Sequence, residues 1–139
     1  MRRILLPVDG SKPSERAVRH VVGLHVAGMA LRVLLVNVQP EWAPARSSEE
    51  EKEGERLHVQ AADAATRRAR SLLEAAGIPY ENRMLVGSAA QAIVKLARKT
   101  GSSQIVMGMR GHGALARVVL GSVSLKTLQL ADVPVTLVK

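Results

Sequence analysis

The sequence predicts a single α/β domain built on a doubly wound parallel sheet, and three observations favour this fold class. Short apolar segments alternate along the chain with longer segments that favour helix. The first of them, ILLPV at 4–8, is continuously apolar, which is typical of a strand covered by helices on both faces. The length of 139 residues suits one domain, so 1–139 is predicted to form a single unit.

Five strands and four helices are predicted in strict alternation. The strands are expected at 4–8, 31–38, 80–86, 104–108 and 133–138. The helices are expected to start after Ser11 and then to cover 49–76, 88–100 and 121–131.

Local signals mark the ends of the first two helices. Ser11 is placed to cap the first helix, and Pro13 is tolerated in its first turn. Residues 41–48 show no periodicity and are predicted to form a loop. The long second helix ends at Gly77, and its apolar inner face is expected to contain Leu57, Ala61, Ala64, Ala65, Leu72 and Leu73.

The second half of the chain has signals of the same kind. The strand at 80–86 is less apolar than the first two, so we expect it at an edge of the sheet. Ser88 and Gln91 have the spacing of a capping box for the third helix, which Gly101 closes.

Composition narrows the classes of function. The chain has no cysteine, which excludes a disulfide framework and a cysteine nucleophile. It has no apolar run near the length of a membrane span, so we expect a cytoplasmic protein without membrane contact. The net charge of +8 suits phosphates, nucleic acid or acidic partners. With no Phe, one Trp and one Tyr, stacking platforms for bases are scarce, and nucleic acid is the least favoured partner.

Candidate ligand-binding residues follow the first and fourth strands, where ligands bind in open α/β sheets if the two strands are neighbours. Asp9 is placed to orient a ribose or adenine, or to cap the next helix. Gly108 and Gly111 let backbone amides approach an anion closely. Gly121 and Ser122 open a helix whose first amides and dipole favour phosphate.

The spacing Gly-x2-Gly-x9-Gly-Ser, from Gly108 through Gly111 to Gly121 and Ser122, resembles the ATP-binding motif of universal stress proteins. The opening ILLPVDGS and the ending VPVTLV are also similar to the two ends of that family. The resemblance covers essentially the whole chain. It implies a Rossmann-like five-stranded sheet of order 3-2-1-4-5, which places the first and fourth strands side by side, and a homodimer formed through the last strand.

The same resemblance implies a stress-response regulatory protein that binds ATP, ADP or AMP, with Mg²⁺ brought by the nucleotide, and that is read by an unidentified protein partner. No catalytic residue is predicted; at most, slow Mg-dependent ATP hydrolysis is expected. The nucleotide-binding residues that it implies are Pro7, Val8, Asp9, Val38, Met107, Gly108, Gly111, Gly121, Ser122, Val123 and Ser124.

One alternative stays open at the level of sequence. Many members of the family carry Ser or Thr where this chain has Met109, so one hydroxyl near the proposed phosphates is missing. This departure favours a dimeric interaction module of the same fold that binds no nucleotide. A phosphoacceptor role for Asp9 is disfavoured, because the acidic pair that such a site needs is absent from this strand end.

Overall fold

A computed structural model describes residues 1–109 and 121–139 of the chain. Within these ranges the strands and helices alternate as predicted: β1 (Arg2–Pro7), α1 (Lys12–Val26), β2 (Leu31–Gln39), α2 (Ser48–Ala75), β3 (Tyr80–Val86), α3 (Ala89–Thr100), β4 (Gln104–Gly108), α4 (Ser122–Leu130) and β5 (Val135–Val138). The boundaries differ from the prediction by one or two residues, the usual uncertainty at the ends of elements. For example, β1 begins at Arg2 and ends at Pro7 rather than covering 4–8.

The five strands form one parallel sheet in the order β3-β2-β1-β4-β5, as predicted. The less apolar strand β3 lies at one edge, as expected, and β5 lies at the other. Strands β1 and β4 are neighbours, so the loops that follow them leave the sheet at the same edge. This adjacency is the condition that the binding-site prediction required.

Alternate residues of the central strands supply two separate cores, one on each face of the sheet. Ile4 and Leu6 point to one face and Leu5 to the other, because successive side chains of a strand alternate. On the first face α1 and α2 cover the sheet with Ala17, Val18, Val21, Ala69 and Leu73. On the second face α3 contributes Ile93, Leu96 and Ala97. The continuous apolar run in β1 therefore follows from burial on both faces.

The helix ends use some of the predicted signals. The Ser11 side chain caps α1 by accepting a hydrogen bond from the Ser14 amide, as expected. Gly101 ends α3 in the left-handed conformation, with φ of 64°. The prediction of a capping box at Ser88 is wrong. Ser88 is the N-cap residue of α3, but its side chain makes no capping hydrogen bond.

The inner face of α2 also differs from the prediction. Of the apolar residues expected there, Leu73 is buried, whereas the Leu57 side chain is 40% exposed. The buried residues of this helix are His58, Ala62, Thr66, Ala69 and Leu73. The pattern of apolar residues missed this face because two polar side chains are buried on it.

Both polar side chains have hydrogen-bond partners. The Thr66 hydroxyl donates to the Ala62 carbonyl at 2.8 Å, and the His58 ring nitrogen Nε2 lies 3.1 Å from the Pro40 carbonyl. Trp42 stacks on the His58 ring at a centroid distance of 3.8 Å and so ties the segment after β2 to α2. Among the described residues, no helix is both long and apolar enough to cross a membrane.

Candidate functional site

A cavity of about 230 Å³ opens at the carboxyl edge of the sheet, around the ends of β1, β2 and β4. It contains most of the residues that the sequence predicted for a nucleotide site. Those that line it are Pro7, Val8, Asp9, Val38, Met107, Gly108, Gly121, Val123 and Ser124. The tertiary structure therefore brings together four separate segments of the chain, the ends of β1, β2 and β4 and the start of α4.

Two of the residues predicted for the nucleotide site are not among those that line this cavity. Ser122 is exposed at the start of α4 and is not part of the cavity wall. Gly111 lies outside the described residues, as do Arg110, His112 and Arg117 of the same loop.

One wall of the cavity is apolar. Val36 and Val38 come from the end of β2, Met107 from β4, and Ile93 from α3, which packs on the same face of the sheet. These side chains can cover a flat, largely apolar group, the kind of wall that small-molecule sites commonly present. Polar groups are concentrated on the opposite side, at the start of α1 and at the end of β1.

Asp9 lies at this polar side and is held by the first turn of α1. Its carboxylate oxygen Oδ1 accepts hydrogen bonds from the Ser14 hydroxyl at 2.7 Å and from the Ser11 amide at 3.0 Å. The Asp9 amide in turn donates to the Ser14 oxygen Oγ at 3.0 Å. The N-cap of α1 is Ser11 and not Asp9, so Asp9 does not cap the helix as one prediction had it; it is bonded to the first turn and also lines the cavity.

The preceding peptide is held from the β2 side. Asn37, only 4% exposed, donates from its side-chain nitrogen Nδ2 to the Val8 carbonyl at 2.8 Å. Its oxygen Oδ1 accepts a hydrogen bond from the Gln39 side chain at 2.5 Å. A buried amide with both ends engaged restricts the position of the Val8 carbonyl strongly, because leaving either group unpaired would be costly.

Gly108 has a packing role that the sequence did not reveal. A Cβ atom at this position would lie 2.2 Å from the Pro13 carbonyl oxygen and 2.4 Å from the Pro13 carbonyl carbon. Only glycine therefore allows the first turn of α1 to approach the end of β4 this closely. The same glycine lines the cavity, so its backbone is open to a ligand as well.

The start of α4 forms the other end of the cavity. Its N-cap residue is Gly121, and no side chain among the described residues caps its first turn. As far as residues 1–109 and 121–139 show, no side chain occupies the amides of that turn, and the helix dipole favours an anion there. Ser124, predicted to meet phosphate, donates its hydroxyl to the Gly108 carbonyl at 3.2 Å and so joins α4 to β4.

Several cavity residues were missed as ligand-binding candidates by the sequence argument: Ser11, Pro13, Ser14, Val36, Asn37, Ala89 and Ile93. Ser11 and Pro13 were recognised only as helix-start residues. Val36 and Ile93 carry only the signal of buried strand and helix residues. Ser14 and Asn37 carry no distinguishing signal in the sequence, and their role shows only in the contacts that they make with Asp9 and with the Val8 carbonyl.

An ion-pair cluster lies beside the cavity, between α1 and α2. Glu15 accepts from Arg68 at 2.9 Å and from Arg19 at 3.3 Å. The hydrogen bond from Arg68, assisted by Arg19, lowers the pKa of the Glu15 carboxyl below its usual value. Among residues 1–109 and 121–139, no group of three or more His, Asp or Glu side chains is arranged to hold a metal ion.

Comparison with known proteins gives a consistent family assignment. The model of the universal stress protein family matches residues 1–139. A universal stress protein of Thermus aquaticus is 31% identical over 139 residues, and the match covers 99% of this chain and 98% of that protein.

Solved structures agree with the fold. The structure of protein MJ0577 of Methanocaldococcus jannaschii is 29% identical, with a TM-score of 0.81, and the match covers 99% of this chain and 95% of that chain. A universal stress protein solved in complex with cAMP is 25% identical, with a TM-score of 0.70 and the same two coverages, 99% and 95%.

Proposed function

The chain belongs to the universal stress protein family, and from that premise we propose that it binds an adenine nucleotide, ATP or the related ADP or AMP, in the cavity at the carboxyl edge of its sheet. The observation that carries the proposal is the cavity itself. It joins the ends of β1 and β4 to a helix start that has a glycine N-cap and no side-chain cap among the described residues. The relative solved with cAMP supports this class of ligand.

The two sides of the cavity suit the two parts of a nucleotide. The adenine would pack against the apolar wall of Val36, Val38 and Met107. Asp9 would accept hydrogen bonds from the ribose hydroxyls, because a carboxylate is a strong acceptor for hydroxyl donors.

The phosphates would lie at the amino end of α4, beside Gly121 and Val123. Backbone amides and the helix dipole would stabilise their negative charge there. Mg²⁺ would arrive bound to the phosphates and neutralise part of that charge. Ser122 and Gly111 stay predictions for this end of the site.

Calorimetric titration of nucleotide-stripped protein with Mg-ATP tests the proposal. A Gly121→Val variant should lose saturable binding, since its side chain would enter the phosphate end. The backbone at Gly121, with φ of −59° and ψ of 153°, is one that valine adopts, so the variant should fold.

The matched control is Gln129→Val, which adds the same side chain to an exposed position of α4 away from the cavity. It should bind Mg-ATP as the unmodified protein does. Failure of the folded, unmodified protein to bind any of the three nucleotides would refute the proposal. The dimeric interaction module without a nucleotide would then be the working account, and the buried Met109 in place of a hydroxyl favours that alternative.

We further propose that the protein acts in stress response as a homodimer through β5, whose nucleotide state is read by a protein partner. In support, β5 is the last strand in the sheet order and has an outer edge suited to pairing with a second copy. Sedimentation velocity at micromolar concentration tests the dimer, and a monomer under all nucleotide conditions would contradict it. Any ATP hydrolysis is expected to be slow and Mg-dependent, because Asp9 is the only titratable side chain among the described residues that line the cavity, and Ser11 and Ser14 already engage its carboxylate.

A further inference from the structure

We propose that Ser14 is a positioning residue of the nucleotide site, which holds the Asp9 carboxylate in the orientation that receives the ribose hydroxyls. This inference rests on the proposed function. Ser14 is 8% exposed, lies in the first turn of α1 and lines the cavity.

The geometry makes Ser14 the link between the backbone and the carboxylate of Asp9. Its Oγ accepts from the Asp9 amide at 3.0 Å and donates to Asp9 Oδ1 at 2.7 Å. The Ser14 hydroxyl therefore binds both the main-chain amide and the side-chain carboxylate of Asp9. The short distance to a charged acceptor is typical of a strong hydrogen bond.

Ser14 is itself held by Ser11, and the peptide before Asp9 is held separately by Asn37. The Ser14 amide donates to the Ser11 hydroxyl oxygen at 3.3 Å, and the two hydroxyls lie 3.4 Å apart. On the other side of Asp9, the Asn37 side chain holds the Val8 carbonyl at 2.8 Å. The backbone before Asp9 is thus restrained by β2, and the direction of the carboxylate is set by the Ser14 hydroxyl together with the Ser11 amide, which donates to the same oxygen at 3.0 Å.

A carboxylate whose direction is set before the ligand arrives loses less conformational freedom on binding. This gain in binding free energy applies to the ribose hydroxyls that the carboxylate contacts and not to the rest of the ligand. Loss of Ser14 should therefore weaken recognition of the ribose hydroxyls more than it weakens binding of adenine or phosphate.

The experiment compares the affinities of Mg-ATP, Mg-2′-deoxy-ATP and Mg-3′-deoxy-ATP by calorimetry. The unmodified protein should prefer ATP over at least one deoxy analogue by about tenfold, the range for a hydrogen bond to a charged group. Ser14→Ala should reduce that preference to about threefold or less. Ser14→Thr, which keeps the hydroxyl, should retain most of it.

The control is Ser47→Ala, which removes a serine hydroxyl from the start of α2, outside the cavity wall, where the Ser47 side chain accepts from the Glu50 amide at 3.1 Å. Ser47→Ala should lower the free energy of unfolding by a similar amount and should leave the preference for ATP over the deoxy analogue at about tenfold. A merely structural role for Ser14 would lower all three affinities by the same factor and leave their ratios unchanged.

Three outcomes separate the two proposals. If the unmodified protein binds no adenine nucleotide, the proposed function fails and this inference fails with it. If it binds ATP and both deoxy analogues equally, or if Ser14→Ala keeps the full preference, the role of Ser14 is overturned while nucleotide binding stands. Loss of the preference for ATP in Ser14→Ala, while Ser14→Thr and Ser47→Ala keep it, supports the positioning role of Ser14.

Discussion

Replacement of Gly108 by alanine tests whether the glycine motif serves packing as well as binding. The new Cβ would lie 2.2 Å from the Pro13 carbonyl oxygen, and contacts below 3.0 Å are essentially never seen. The start of α1 must therefore move by about 0.8 Å, the difference between these two distances. The two nearest atoms are backbone and the third is the Cβ of the rigid Pro13 ring, so no side chain can rotate to relieve the contact.

Overpacking of this kind costs about 1–3 kcal/mol, and we expect the upper end because the helix must shift as a unit. With a urea m-value of about 2 kcal/mol/M, a loss of about 3 kcal/mol lowers the unfolding midpoint by about 1.5 M. Urea denaturation followed by circular dichroism measures this directly.

The control is Gly23→Ala in the last turn of α1, where an added Cβ would meet nothing within 4 Å. That variant should be more stable by about 0.5–1 kcal/mol, because alanine favours helix. A Gly108→Ala protein within about 0.5 kcal/mol of the unmodified one would refute the packing argument, since surface changes reach only that size.

Two further predictions concern stability. Asn37→Ala should lower the free energy of unfolding by about 1–3 kcal/mol, because it removes the buried donor to the Val8 carbonyl; an unchanged urea midpoint would contradict this. Glu15 has a pKa lowered in the folded state by Arg68 and Arg19, so its ion pairs stabilise the protein above the ordinary pKa of 4.5 and are lost as the pH falls below it. Glu15→Gln should therefore be less stable than the unmodified protein at neutral pH, with the difference vanishing in acid; a difference that persists at low pH would rule out this origin.

Much of the candidate site could be predicted from the sequence, because its residues occur at strand ends and at a helix start. Asp9, Gly108 and Gly121 have those positions, and the structure brings them to one cavity. Ser14 and Asn37 could not be singled out in the same way. A serine in the first turn of a helix and an asparagine inside a strand are ordinary in sequence, and their role depends on which carbonyl or carboxylate they meet.

The inner face of α2 shows the same limit in the fold. Apolar residues were expected to face the sheet, but His58 and Thr66 are buried while Leu57 is largely exposed. Thr66 can be buried because its hydroxyl bonds to the Ala62 carbonyl of its own helix, and His58 because its ring bonds to the Pro40 carbonyl; a pattern of hydrophobicity contains neither contact.

The sequence by itself determined the alternation of strands and helices, because burial on both faces makes β1 and β2 apolar while glycine, proline and capping serine mark most of the breaks. It also placed the candidate residues at the ends of particular strands. Only the tertiary structure decided that Pro13 packs on Gly108. It also decided that Asn37 binds the carbonyl, and Ser14 the amide, of the peptide that joins Val8 to Asp9. Such contacts depend on distances of a few ångströms between elements, and those distances are set when the helices pack on the sheet.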